Sequence, residues 1–147
     1  MKKTIALILA FIMIMAVAPL NASAVREQTE GMYTYYISQT GKCIITKGDP
    51  SLSGDLVIPD KLGGVPVKEI GEEAFIDNDK ITSITFPESV TEIAKYAFCK
   101  CDGLTEVVIP DTVTALGEGA FSECKTIASV TIGNGITEIS RRAFYWN

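Results

Sequence analysis

Residues 104–124 read LTEVVIPDTVTALGEGAFSEC, and the same apolar beat returns at every twenty-third position along the chain. The Ala-Phe pair near its end recurs at Ala74-Phe75, Ala97-Phe98, Ala120-Phe121 and Ala143-Phe144. Ile70, Ile93, Leu116 and Ile139 each stand five places before one of these Phe residues, and Val90, Val113 and Ile136 stand eight before. Ile84, Val107 and Val130 open short β-branched runs, each three places after Ile81, Leu104 and Ile127. A fixed period of this length is the signature of a solenoid, in which one repeat makes one coil and neighbouring coils bury each other's apolar faces. The β-branched runs predict one short parallel strand per coil, ended by Pro59, Pro87 and Pro110. Thr91-Glu92-Ile93 and Thr114-Ala115-Leu116 predict a second short extended piece, and the Ala-Phe corner predicts tight or 3₁₀ turns. The fold class is therefore mainly β, a solenoid of about four stacked coils.

Upstream, Met32 to Lys47 predicts a β-hairpin. Tyr33, Tyr35 and Ile37 alternate, Ser38 to Gly41 supplies a turn, and Cys43-Ile44-Ile45 runs extended. Val25 to Glu30 is polar and predicts a loose lead-in. From Pro59 to Ile70 is eleven steps along the chain, whereas from Pro87 to Ile93 and from Pro110 to Leu116 it is six, so the first repeat carries an insertion of five. The insertion falls among Gly63, Gly64 and Pro66, which predicts a longer loop at one corner of the first coil. Tyr33, Tyr35 and Tyr36 are placed to plug the open N-terminal end. At the other end a fourth Ala-Phe pair stands just before Asn147, so the last repeat is incomplete, with no polar cap. That predicts a truncated chain or self-association through the uncapped C-terminal edge.

Residues 1–24 have Lys2 and Lys3, then the charge-free run from Thr4 to Ala18, then Ala22-Ser23-Ala24. This is the order of a secretory signal peptide cleaved after Ala24. The apolar run is shorter than the roughly 20 residues a membrane helix needs. The expected organisation is a signal peptide at 1–24, a hairpin and connector acting as a cap at 25–55, and the repeat solenoid at 56–147. The signal holds two of the 13 basic residues and none of the 18 acidic ones, leaving a mature net charge of −7. Such a surface disfavours nucleic acid, which needs a basic footprint, and it disfavours anionic membranes.

The chain has no His, which removes His-based triads, His general bases and His metal ligands together. No nucleophile–base pair or convergent carboxylate pair stands out, so the sequence predicts no enzyme, no metal and no cofactor. Asn78, Cys101, Cys124 and Asn147 share one position of the repeat. Stacking would bring these side chains to about the strand spacing, ~4.8 Å. Because Asn and Cys interchange there, the column predicts a structural ladder that satisfies buried backbone rather than a redox or metal centre. A Cys101–Cys124 disulfide is sterically conceivable; Cys43 and Cys99 have no assigned partner. Ser83, Thr85, Glu106, Val108, Ser129 and Thr131 are the outward residues of the predicted strands and the candidate ligand face. Glu88, Asp111 and Asn134 form a second column, read as a solvated turn. Asp77-Asn78-Asp79 opens like a calcium loop but lacks its Gly and terminal Glu.

The unit from Leu104 to Cys124, Leu-x-x-Val-x-Ile-Pro-x-x-Val-x-x-Leu-Gly-x-x-Ala-Phe-x-x-Cys, resembles the BspA-type leucine-rich repeat. The resemblance runs from about Leu56 to the end, with Gly133 standing where the other units have Pro. It implies a secreted or surface-displayed bacterial protein that recognises a host or other extracellular protein, or a glycan, through its repeat face and without catalysis. The alternative it leaves is a structural spacer in a larger surface protein.

Overall fold

The computed structural model describes residues 25–147; the signal-peptide assignment to residues 1–24 lies outside them. Among the described residues eleven strands run in order: β1 (Gln28–Glu30), β2 (Tyr33–Ile37), β3 (Cys43–Gly48), β4 (Gly54–Val57), β5 (Lys61–Leu62), β6 (Val65–Ile70), β7 (Ile81–Thr85), β8 (Glu92–Ile93), β9 (Glu106–Ile109), β10 (Ala115–Leu116) and β11 (Ser129–Ile132). The same residues contain no helix.

Each coil of the solenoid has three sides. The first is a strand of the β4, β7, β9, β11 series. β4 pairs in parallel with β7 and β9 with β11, while Thr105 N–H donates to Thr82 O at 3.2 Å to join the two pairs. The second side is the parallel ladder β6, β8, β10, continued at its N-terminal edge by β3, then β2 and β1. The third is the Ala-Phe corner, built from tight turns. Ala97 N–H donates to Ala94 O and Cys99 N–H to Tyr96 O, and the same two bonds recur at Ala120 and Ser122. Two residues of each corner take a left-handed backbone: Glu73, Tyr96, Gly119 and Arg142 in one column, Asp77, Lys100, Glu123 and Trp146 in the other.

The core is the inward set of the repeat. Ile70, Ile81, Val90, Ile93, Leu104, Val107 and Val113 are all buried. Along the axis the Phe rings form one stack: Phe75 on Phe98 at 5.0 Å, Phe98 on Phe121 at 5.2 Å and Phe121 on Phe144 at 5.6 Å, with ring planes within 4°. Tyr33 meets Phe75 edge-on at 6.4 Å and Tyr35 is buried, so these two tyrosines close the N-terminal end of the core.

Three local expectations are corrected. The lead-in is not loose throughout. Gln28–Glu30 pairs antiparallel with β2, and Glu30 reaches over to accept the Gly63 N–H at 2.7 Å, which makes a three-stranded meander of the expected hairpin. The insertion in the first repeat is a hairpin rather than a loop, with Lys61 facing Pro66 and Leu62 facing Val65 across the Gly63-Gly64 turn. Both glycines have positive φ, and Leu62 turns inward to become core. The fourth repeat keeps the pattern but not the burial. Ile139 is 55% exposed where Ile70, Ile93 and Leu116 are buried, because no coil among the described residues covers it.

Gly133, the departure from the Pro pattern, has a physical reason. Its N–H donates to Ile109 O at 2.8 Å, which Pro could not do. A Cβ there would also lie 2.5 Å from backbone atoms of Pro110 and Asp111.

Candidate functional site

The strand side of the solenoid carries the candidate face. Alternation along β9 buries Val107 and Ile109 and turns Glu106 and Val108 outward. Parallel pairing then aligns outward residues into columns. Ser129 is in register with Glu106, and Thr131 with Val108. In the other pair, Asp55 is in register with Ser83 and Val57 with Thr85. The six residues read from sequence therefore lie on one surface, in two columns that continue onto β4. One column is polar: Asp55, Ser83, Glu106, Ser129. The other is β-branched: Val57, Thr85, Val108, Thr131.

Asp55 and Val57 escape the periodic reading because the hairpin insertion sets them farther back from Ser83 and Thr85 than one repeat. Adding the length of the insertion to the period would have found them. They matter to the face. Ser83 Oγ donates to Asp55 Oδ1 at 2.7 Å, fixing that carboxylate, and Val57 at 62% exposure is the most open large apolar residue on the described strands. Together the four strands carry two carboxylates, Asp55 and Glu106, and no Lys or Arg.

The Asn78, Cys101, Cys124, Asn147 column is brought together at the end of the Phe corner. Cys101 Sγ–H donates to Phe75 O at 3.2 Å and Cys124 Sγ–H to Phe98 O at 3.0 Å. Asn78 Nδ2–H donates to Leu52 O at 3.3 Å, and Leu52 stands one repeat period before Phe75. Each of these donors thus reaches the same carbonyl of the preceding coil. Asn147 Oδ1 accepts the Cys124 N–H at 3.0 Å. All four cysteines are buried free thiols. The neighbouring Cys124 thiol, and then burial, push the Cys101 thiol far above its ordinary value, so it stays protonated and keeps its donor. Burial likewise raises Cys43 and Cys99, and Ser122 Oγ–H lies 3.3 Å from the Cys99 sulfur.

This geometry predicts that Cys124→Ala lowers the unfolding free energy by about 1–3 kcal/mol, the cost of leaving a buried carbonyl unpaired. Cys124→Ser should lose less, because the hydroxyl can still donate. Urea titrations of the two variants decide it; equal losses would show that the sulfur acts by volume alone.

The turn column is held by its own bonds. Asp111 Oδ1 accepts the Asn134 N–H at 2.7 Å and Nδ2–H at 3.3 Å. One coil corner away, Lys125 Nζ lies 2.9 Å from Asp102, and its hydrogen bonds hold the Asp102 carboxyl below the usual range. Asp77 is 3.9 Å from Lys100 Nζ. Among the described residues no group of three or more Cys, Asp or Glu side chains is gathered as a metal site.

Comparison with known proteins places this architecture. A leucine rich cell surface protein from Faecalibacterium prausnitzii is 22% identical; the match covers 84% of this chain and 47% of that one, with a TM-score of 0.45. This chain thus spans under half the length of that protein. A leucine-rich repeat protein from Bacteroides capillosus is 24% identical over 72% of this chain and 97% of its own, with a TM-score of 0.52. The T. pallidum leucine rich repeat protein is 22% identical, with 71% of each chain covered and a TM-score of 0.44. At these identities the likeness speaks to fold alone. No curated protein matches the chain. Residues 57–147 match the family described as BspA type leucine rich repeat region (6 copies). With more than half its length matched and the repeated coil seen in three dimensions, the chain belongs to the BspA-type leucine-rich repeat family.

Proposed function

We propose that this chain is a secreted or cell-surface recognition module, non-catalytic, that binds an extracellular protein or glycan through the face of β4, β7, β9 and β11. The observation that carries the reading is the pair of outward columns. Val57 and Val108, at 62% and 47% exposure, stand in line with Thr85 and Thr131, beside a column of hydroxyls and two carboxylates. Apolar and hydroxyl groups in fixed register offer contact area at low entropic cost, because β-branched side chains have little rotamer freedom to lose. The absence of any cation on these strands favours a neutral or basic partner surface. The chemistry expected of a hydrolase is not gathered on this face, and the leucine-rich cell-surface protein of F. prausnitzii gives a precedent for the location. In this reading residues 1–24 are removed on export, 25–55 cap the solenoid and 56–147 present the face.

The test is a panel of immobilised matrix proteins and glycans probed with the chain and with Val108→Arg and Thr131→Arg. Each substitution should weaken any binding by about tenfold or more with an unchanged thermal melt. Asp111→Lys, on the turn column, should leave binding intact. Binding that survives both face substitutions would move the site elsewhere.

A further inference from the structure

The three tyrosines of the meander part company in the structure. Tyr33 and Tyr35 close the N-terminal end of the core, whereas Tyr36 alternates to the opposite face of β2, and none of the described residues takes a hydrogen bond from its hydroxyl. Strand pairing continues from it in a single row. Tyr36 is in register with Ile44, Ile44 with Glu69, and Glu69 with Glu92, across β2, β3, β6 and β8. Cys43 and Ile45 are core and Ile44 lies between them in sequence, so the row runs on the outer surface of the second side, away from the strands of the candidate face. Tyr36 and Glu69 thus stand two strand spacings apart, about 10 Å, with Ile44 between them.

Beside this row the surface is hollow. A cavity of about 380 Å³ is lined by Tyr36, Ile44, Thr46, Glu69, Gly71 and Ala94, and the exposed Glu72 and Lys95 complete it. Pockets that hold a small ligand begin at about 300 Å³. The floor is largely backbone. Gly71 lies close against β3, where a Cβ would stand 2.7 Å from Ile45 O and 3.3 Å from Ile44 Cγ2. It is also fixed, since Gly71 N–H donates to Ile45 O and Ala94 N–H to Ile70 O, each at 2.8 Å. Charge in the hollow is mixed. Glu69 and Glu72 stand against Lys95, and Lys42 Nζ lies 3.7 Å from Glu92. Burial, and then Glu92, raise the Glu69 carboxyl, so this carboxylate is short of water and gains from hydroxyl donors.

We propose that this hollow is a saccharide subsite, taking one neutral pyranose unit with the apolar face of the sugar ring on Tyr36. A tyrosine offers a large, rigid and amphipathic contact at little rotamer cost. Glu69 then accepts from the sugar hydroxyls. Thr46 Oγ1–H donates to Thr34 O at 3.3 Å, which leaves its oxygen free to accept as well. A neutral ligand suits the mixed charge, because an anion would meet Glu69 and Glu72 and a cation would meet Lys95. The site lies on a different side of the coil from the strand face and does not depend on the partner proposed for that face.

The full chain is titrated with glucose, galactose and N-acetylglucosamine while its backbone amides are followed by NMR. At least one of these sugars should shift the amides of Tyr36, Gly71 and Ala94 in a saturable way and leave those of Glu106 and Ser129 unmoved. Tyr36→Ala should weaken that binding by about tenfold or more, Tyr36→Phe by far less, and Glu69→Ala by about tenfold. Asp111→Lys, on the turn column, should leave it unchanged. Thermal melts verify the fold, and Glu69→Ala, at an outward and half-buried position, carries the test if Tyr36→Ala does not fold. The matching trisaccharide (maltotriose, galactotriose or chitotriose) separates the two sources of a pyranose. Tighter binding than the single sugar assigns the hollow to a polymer chain, and binding no tighter assigns it to the free sugar; both keep a saccharide there. Shifts produced by butylammonium chloride and by none of the sugars would make the hollow a cation site and overturn the proposal. So would silence from every probe, sugar shifts confined to β7, β9 and β11, or sugar binding that survives both Tyr36→Ala and Glu69→Ala.

Discussion

Phe98→Ala is expected to cost about 3–5 kcal/mol of unfolding free energy, a large share of the roughly 5–15 kcal/mol that holds a domain folded. Phe98 is fully buried and stacks on both neighbours, Phe75 at 5.0 Å and Phe121 at 5.2 Å, while Phe86 meets it edge-on at 5.9 Å. Truncation leaves a cavity in the middle of the stack that cannot collapse, because the coils on both sides are tied by backbone ladders. It also removes three aromatic contacts together. Phe144→Ala removes one contact, at the partly buried end of the stack, and should cost far less. Chemical denaturation of both variants gives the comparison. Stability in a solenoid is the sum of coils and their interfaces, so the central substitution should also broaden the transition as the two halves uncouple. Equal losses at Phe98 and Phe144 would mean that the stack is not a continuous element.

How much of this was readable in advance depends on whether a feature repeats. Ile70, Ile93 and Leu116 could be placed in the core from their spacing alone, and so could the strands that carry Glu106 and Ser129. The same spacing placed Ile139 and Val130 inward, yet both are exposed. Periodicity reports which way a side chain points within its coil, and burial needs a neighbouring coil as well. The left-handed corner residues were invisible for a different reason. Glu73, Tyr96, Gly119 and Arg142 share one backbone conformation but no chemistry, and only one of them is Gly. The corner is held by the inter-coil bonds of its neighbours, which override a local cost of about 1–2 kcal/mol per residue. Asp55 and Val57 were hidden by arithmetic, since the hairpin displaces them from the register of the repeat. The face itself needed the structure, because outward residues on successive strands become a surface only once their register is known. The ladder was legible as a column, but its target, the Phe carbonyl of the coil before, depends on geometry that no spacing encodes.

Gly117→Ala is expected to destabilise by about 3 kcal/mol or more, the upper range for overpacking, although it adds one methyl group to a chain that tolerates Ala94 at the equivalent position one coil earlier. A Cβ on Gly117 would stand 2.4 Å from the Lys95 amide nitrogen and 2.5 Å from the Ala94 carbonyl carbon. These are backbone atoms, fixed because Gly117 N–H itself donates to Ile93 O at 2.7 Å and Ala94 N–H to Ile70 O at 2.8 Å. No side chain can rotate away, so the two coils must separate, and that would strain the β8–β10 ladder and the stack of Phe98 on Phe121 together. Gly41→Ala is the fitting contrast. Gly41, unlike Gly117, has a left-handed backbone, φ +79°, but open space around its Cβ position, so its cost should be confined to the left-handed strain of about 1–2 kcal/mol. Thermal melts of the two variants separate contact from conformation. If Gly117→Ala melts no lower than Gly41→Ala, the close approach of the coils at this corner is not what holds them in register. If it melts far lower, the glycine is there for the close packing of one coil on the next, and Ser or Val at the same site should be worse in order of size.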